Sequence, residues 1–345
     1  MTVSSTAKLM SPEEIAVRAG EQIPFLLYPE PGVFAARALR LRQLAQGHAM
    51  ADFLHFAAEL AQAQHEQLSR SQPALTLPSQ AQIEQAAQAG QALLAPARWP
   101  LDPVWREGLR ALMHTLAARL AAGPAQAAVL GLAQASDSHL DLQAQRLLAG
   151  VMLGLDLATA PLIAAGLQLY WTQVLSQLQA RYERDKVPNQ LAPFGRIDDP
   201  LVCPCCASKP VASITRIGAD GAGFRYLSCS LCAAQWHYVR VKCAHCQSTK
   251  GISFQGLLAE DGSTPEGAAA VQAECCSECG HYLKVVHMEK DQAVEPHADD
   301  LATLTLDLLV SDTGLIRHGL NLMLLFGDPE TEGETGNAPP DTKAH

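Results

Sequence analysis

Outside residues 203–279 this 345-residue chain contains no cysteine, and all ten of its cysteines fall inside that stretch. Thiols dispersed as a stabilising disulfide network are therefore excluded, and so is a thiol active site elsewhere. Aromatic residues are scarce, at 5%. A first half dominated by Ala, Leu and Gln predicts helices built from small, unbranched residues. Basic residues are outnumbered 25 to 35, a formal net charge of −10. General binding to nucleic acid needs a basic footprint, which is missing. The first twenty residues have neither an apolar signal-peptide core nor a twin arginine, which predicts a cytoplasmic protein. The longest apolar run, Leu147 to Leu167, is broken by Asp156 and Pro161. An acid at the centre of a membrane span costs about 2.5–3.5 kcal/mol, so the run reads as two buried helices meeting near Thr159–Pro161, and no membrane insertion is expected.

What is present divides along the chain. At this length two or more domains are expected, and hydrophobic residues at 48% supply ample core. Residues 11–185 read as a helical domain. Ser11, Pro12 and Glu14 predict a capped first helix over 11–20. Ile23 to Pro31 is an apolar, proline-fixed connector, expected to lie extended on the helical domain. Helical periodicity covers Val33–Arg70 with a break at Gly47-His48, then Gln80–Leu94, Val104–Ala122, 125–135, 139–157 and 161–185. The last is read as amphipathic, with Tyr170, Trp171, Val174, Leu175 and Leu178 inward. Asp52, His55 and Glu59 share a helical face, which reads as a solvated one. His114 reads as a core or boundary histidine. Residues 186–200, with three prolines and a glycine, form a linker.

Eight cysteines then form four C-x-x-C pairs: Cys203/Cys206, Cys229/Cys232, Cys243/Cys246 and Cys276/Cys279. A two-residue spacer lets a tight turn aim both sulfurs at one point. Two such turns facing each other make a tetrahedral sulfur cage suited to zinc or a single iron; a four-cysteine iron–sulfur cluster uses the same ligands. Disulfides belong to short secreted scaffolds. Short strand-like runs surround the pairs at 211–217, 225–227, 236–241, 251–254 and 282–286. This is the pattern of rubredoxin-like or zinc-ribbon-like modules, whose folding energy comes largely from the metal. The pattern repeats, with one module at 201–241 and a second at 242–290, each expected to close its own site. A cross-brace that pairs the first knuckle with the third is the rival. Cys205 and Cys275 are surplus, and His237 and His245 are expected beside the cages, not in them. Residues 294–326 resume helical character, with Asp299 or Asp300 as cap, and 327–345 read as a disordered tail. The expected fold is thus α+β and multidomain: an all-α N-terminal domain, two tandem metal modules and a C-terminal helical segment.

With these residues laid out, the chain resembles the FdhE family of formate dehydrogenase accessory proteins. The resemblance is carried by CPCC at 203–206, RYLSCSLCAAQWHYVRVKCAHC at 225–246, AECCSECGHYLKVV at 273–286 and ADDLATLTLD at 298–307, and by IPFLLYPEP and MADFLHFAAELAQAQ nearer the N-terminus. Cys275 and the Leu322-Met323-Leu324 segment depart from the family pattern. The resemblance implies a cytoplasmic, non-enzymatic maturation factor that binds the catalytic subunit of respiratory formate dehydrogenase. It implies two mononuclear four-thiolate metal ions, iron before zinc, held by the eight paired cysteines. An adaptor or nucleic-acid-binding zinc ribbon is the alternative. Arg216, Arg225, Arg240, Lys242 and Lys250 are offset by acids there, so no basic stripe supports nucleic acid. A catalytic metal keeps an open position, whereas four thiolates close the site, and no nucleophile–base set stands elsewhere.

Overall fold

A computed structural model of the chain describes residues 23–70, 75–188, 190–217, 223–257 and 269–325. The helix expected over 11–20 and the tail after 326 lie outside the described residues. The proline-fixed connector does not rest on helices alone. Its Leu26–Leu27 forms strand β1, which pairs antiparallel with strand residues Trp236 and Gln235. A connector with extended backbone and free peptide groups finds its partners at a sheet edge.

Helices α1 (Val33–Leu44) and α2 (Ala51–Ser69) follow. They are separated at Gly47, whose φ of +71° suits glycine. Asp52 and His55 are exposed, as expected of a solvated face; Glu59 accepts from Arg42 and Arg119. Helix α3 (Gln80–Gln88) begins at a capping box between Ser79 and Gln82. It stops six residues short of the expected Leu94, because Gly90 turns at φ +61° and 91–99 fold into turns. Helices α4 (Val104–Ala117), α5 (Pro124–Ala133) and α6 (Asp137–Ala149) come next. Helix α6 also ends early, at the left-handed Gly150.

Helix α7 (Ala160–Asp185) is not amphipathic in its first half. Apart from Pro161, every residue from Ala160 to Leu175 is buried, Gln168, Thr172 and Gln173 included. A helix apolar all round belongs in a core. Here α4 presses so close that a Cβ on Gly166 would sit 2.7 Å from Leu109 Cδ1. The apolar run of the sequence is therefore split between the end of α6, a turn and this core helix. Among the described residues no helix is long and apolar enough to cross a membrane. The described residues of the 186–200 linker carry no regular structure and are mostly exposed, but they are anchored at three points. Phe194 is buried, Arg196 lies over the Phe25 ring, and Asp198 N donates to Gly90 O.

The cysteine region folds as knuckle, strand, strand, knuckle, strand, twice over. The first pass gives β2 (Pro210–Arg216), β3 (Phe224–Cys229) and β4 (Gln235–His237). The second gives β5 (Ile252–Gly256), β6 (Val271–Cys276) and β7 (His281–His287). Strand β6 carries the fourth knuckle's first cysteine and is absent from the strand runs read in the sequence. The two passes merge into one sheet, ordered β1-β4-β3-β2-β7-β6-β5. The seam is the parallel pair β2–β7, with Ile214 opposite Val286.

The C-terminal segment is only partly helical. Helices α8 (Pro296–Ala302) and α9 (Leu304–Ser311) form, but 315–325 are not a helix. Instead β8 (Ile316–Arg317) adds to β7 in parallel, Ile316 opposite His281. The cap of α8 is Glu295, whose carboxylate accepts from Ala298 N at 2.7 Å, not Asp299 or Asp300. Those two acids are buried in ion pairs, Asp299 with Arg40 and Asp300 with Lys284 and Arg317.

Candidate metal centres

Each knuckle is built the same way. In the first, Ala207 N donates to Cys203 O at 2.8 Å and Cys203 N to Ser208 O at 3.0 Å. In the third, Gln247 N donates to Cys243 O and Cys243 N to Ser248 O. The residue after each second cysteine is left-handed: Ala207, Ala233, Gln247 and Gly280, at φ 58°, 58°, 63° and 69°. Ala207, Ala233 and Gln247 are the only non-glycine residues with positive φ among the described residues. Side chains other than glycine enter that region at a cost of about 1–2 kcal/mol, so the turn is imposed by what it must hold.

The structure brings the eight paired cysteines together in two groups, Cys203, Cys206, Cys229 and Cys232, and Cys243, Cys246, Cys276 and Cys279. Within each, the sulfurs lie within 4.8 Å of one another. The pairing is sequential, and the cross-brace is not formed. Sγ–Sγ distances are 3.6 Å for Cys203–Cys232 and 3.4 Å for Cys206–Cys229. They are 3.7 Å for Cys243–Cys279 and 3.8 Å for Cys246–Cys276. A tetrahedron with metal–sulfur arms of about 2.3 Å has edges of about 3.8 Å, so both groups fit a four-thiolate ion. All ten cysteines are free of disulfides.

Backbone amides point at the sulfurs. Leu231 N and Cys232 N donate to Cys229 Sγ at 3.3 and 3.4 Å, and His245 N and Cys246 N to Cys243 Sγ at 3.4 and 3.5 Å. Such bonds stabilise thiolate charge. With no cation the first group cannot hold four thiolates. Burial, then neighbouring sulfurs, push the Cys229 and Cys232 thiols well above the ordinary range. Cys203, though buried, is held well below it by hydrogen bonds from the other sulfurs. A metal cation is what would hold such crowded, buried sulfurs as thiolates together.

The surroundings differ. All four sulfurs of the first group are wholly buried, in a core shared with Trp171, Leu175 and Leu109 of the helices. Leu94 N donates to Cys205 O at 2.9 Å, and Gln168 Nε2 to Ser230 O at 2.8 Å. In the second group Cys246 is exposed and Cys279 partly so. Cys205 and Cys275 fall outside both groups. Burial, then Cys203, pushes the Cys205 thiol far up. Cys275 packs with Tyr282, Leu306 and Val310, where burial raises its thiol to about 11. His237 lies edge-on to Tyr226 and belongs to neither sulfur group.

Sequence reading missed two features. His281 and His318 join His245 beside the second group, and the signal available was a histidine two residues past a knuckle cysteine. A buried Arg225–Glu274 ion pair and a separate cluster of Lys284 and Arg317 with Asp300 and Asp307 were also missed. Charged residues at inward positions of otherwise apolar strands were the clue.

Family models for the FdhE N-terminal, central and C-terminal domains match residues 23–187, 202–240 and 241–324. The FdhE homolog of Cronobacter sakazakii is 37% identical over 314 residues, covering 91% of this chain and 95% of that one. The FdhE protein of Salmonella typhimurium is 37% identical over 317 residues, with the same coverage. The crystal structure of the FdhE protein from Pseudomonas aeruginosa superposes with a TM-score of 0.70 at 33% identity, over 88% of this chain and 99% of that chain. By sequence along nearly its whole length and by fold, the chain belongs to the FdhE family.

Proposed function

We propose that this protein is a non-enzymatic accessory factor of formate dehydrogenase that binds the enzyme's catalytic subunit in the cytoplasm before that subunit is active. Membership of the FdhE family supports the accessory role. The observation that carries the chemistry is the pair of closed four-sulfur cages. Cys203, Cys206, Cys229 and Cys232 hold one ion, and Cys243, Cys246, Cys276 and Cys279 hold the other. Iron is the first choice and zinc the second. Four thiolates leave no coordination position for a substrate, which fits a maturation factor better than an enzyme. Four-thiolate iron supplies one-electron chemistry when bound. The amides on Cys229 and Cys243 Sγ moderate the charge of the sulfurs, and the helical domain shuts water from the first group.

The test has two parts. Tagged protein from its native cells should co-purify with the formate dehydrogenase catalytic subunit, and deletion of its gene should abolish formate dehydrogenase activity until the intact chain is restored. Protein purified without oxygen should carry two irons and bleach reversibly on reduction. Two zincs and no colour would leave the accessory role standing with structural metals. Full formate dehydrogenase activity in the deletion strain would overturn the role.

A further inference from the structure

The two sulfur groups share one construction, yet only the second has an open side, and only there do histidines gather. His245 lies between Cys243 and Cys246, His281 two residues past Cys279, and His318 follows β8. The His245 and His281 rings stack with centroids 3.6 Å apart and planes 9° from parallel, and His318 stands edge-on to His245 at 5.1 Å. A ring nitrogen of His245, one of His281 and Cys279 Sγ lie within 4.8 Å of one another. His281 Nδ1 is 2.8 Å from Cys279 O. A carbonyl only accepts, so Nδ1 carries a proton, and in the neutral ring the lone pair is on Nε2. His245 Nδ1 is buried with no hydrogen-bond partner, a costly state for a polar atom with nothing to bind. A cavity of about 10 Å³ lies among Cys243, His245, Glu274, His281 and His318, the space of one small ion.

We propose that the second centre is the exchangeable one, and that His245, His281 and Cys279 form an accessory site through which a divalent cation of borderline softness, Zn2+ in kind, enters and leaves it. The proposal rests on the metal reading of the two groups. Mixed imidazole and thiolate ligands suit such an ion. The stacked rings do not converge on one point as a closed cage would, so each imidazole takes the ion in turn. No electron moves. The bond from the ion to exposed Cys246 breaks first as a bond to an imidazole nitrogen forms, the bonds to Cys243 and Cys276 break next as the second imidazole and the incoming chelator bind, and Cys279 lets go last; each freed thiolate takes up a proton from the buffered solvent. The first group is sealed under the helices, and among the described residues no histidine joins its sulfurs, so it has no such route.

The experiment loads the full-length chain with two equivalents of Zn2+ and follows release to a chromophoric chelator. Two phases of one ion each are expected, with Cys246→Ser removing the fast one. Where that variant does not fold, alkylation of the half-stripped protein should label Cys246 and Cys279 before Cys203 and Cys232. The double substitution His245→Ala/His281→Ala should keep two ions but slow the fast phase by about 10- to 100-fold, the range typical when groups that assist a metal site are removed. His237→Ala should change nothing. Two ions leaving at one rate, first labelling at Cys203, or an unchanged fast phase in the histidine double variant would overturn the proposal. A chain that binds fewer than two ions would overturn the metal reading, and this proposal with it.

Discussion

Arg225 on β3 and Glu274 on β6 meet in a bidentate ion pair across two intervening strands, with both nitrogen–oxygen contacts at 2.9 Å and both side chains almost wholly buried. Arg225 also donates to the carbonyls of Lys242, Arg240 and Val239 at 3.0 to 3.4 Å. It therefore pins the crossing between the two halves of the sheet. Burial pushes the Glu274 carboxyl up, and Arg225 opposes it. Removing one partner strands a buried charge, which costs about 3–5 kcal/mol. Arg225→Ala should lower unfolding stability by that amount in chemical denaturation. The double variant Arg225→Met/Glu274→Met should cost less than the two single changes summed. A single-variant loss below about 1 kcal/mol would show that the pair is not holding the crossing.

Glu295 predicts how the fold responds to acid. Burial alone would raise its carboxyl. Arg37 at 3.2 Å, His297 and the Ala298 amide outweigh burial and hold it at about 2 instead of the ordinary 4.5. The unfolded chain then binds a proton more readily than the folded one. The stabilisation is complete above 4.5 and is lost as pH falls from there toward about 2; it amounts to roughly 3 kcal/mol. Glu295→Gln should be less stable at pH 7 and should show a flatter decline over that window. Thiolate protonation affects both proteins alike, so the difference between their curves isolates Glu295. Parallel curves would rule the linkage out.

The helices and the eight paired cysteines were legible because each rests on local spacing: three and four residues for a helix face, two for a knuckle. What was not legible depends on partners distant in sequence. Leu26–Leu27 became a strand only because Trp236 and Gln235 offered an edge. Val271–Cys276 was obscured as a strand because its centre, Gln272-Ala273-Glu274, is polar or small, and Glu274 is buried only by virtue of Arg225. The segment after Gly314 looked helical by apolar content, but its Ile316–Arg317 was claimed by the start of β7, at His281 and Tyr282, which β2 leaves unpaired. The burial of α7 on every side could not be read from its own periodicity, since Gln168 and Gln173 are satisfied or enclosed by other segments.

The knuckle turns carry strain that substitution can release. Ala207, Ala233 and Gln247 hold left-handed backbone where Gly280 holds the same conformation at ease. Each change to glycine, at constant metal load, should stabilise the protein by about 0.5–1 kcal/mol, the left-handed penalty less the entropy of the unfolded glycine. Gly280→Ala should destabilise by about 1 kcal/mol, with no steric part, because a Cβ there meets nothing within 4 Å. Thermal unfolding at matched metal content checks both signs. A destabilising Ala207→Gly would show that its methyl group contributes packing that outweighs the strain.

Loss of the two metals should be felt in different places. Cys203, Cys206, Cys229 and Cys232 share a continuous core with Leu109, Trp171 and Leu175, and the backbone of Leu94 is bonded both to Cys205 and, through its carbonyl, to the Trp171 indole. Cys203→Ser should bind one ion fewer and weaken amide protection in α7 and at Leu94, because an empty cage leaves crowded buried thiols where the helices expect a filled core. Cys243→Ser should also lose one ion, but its group adjoins β7 and the surface, so protection in α7 should stay as in the parent chain. Hydrogen exchange read residue by residue separates the cases. Equal loss of α7 protection in both variants would mean that the sheet, and not the first sulfur group, transmits the metal's hold to the helices.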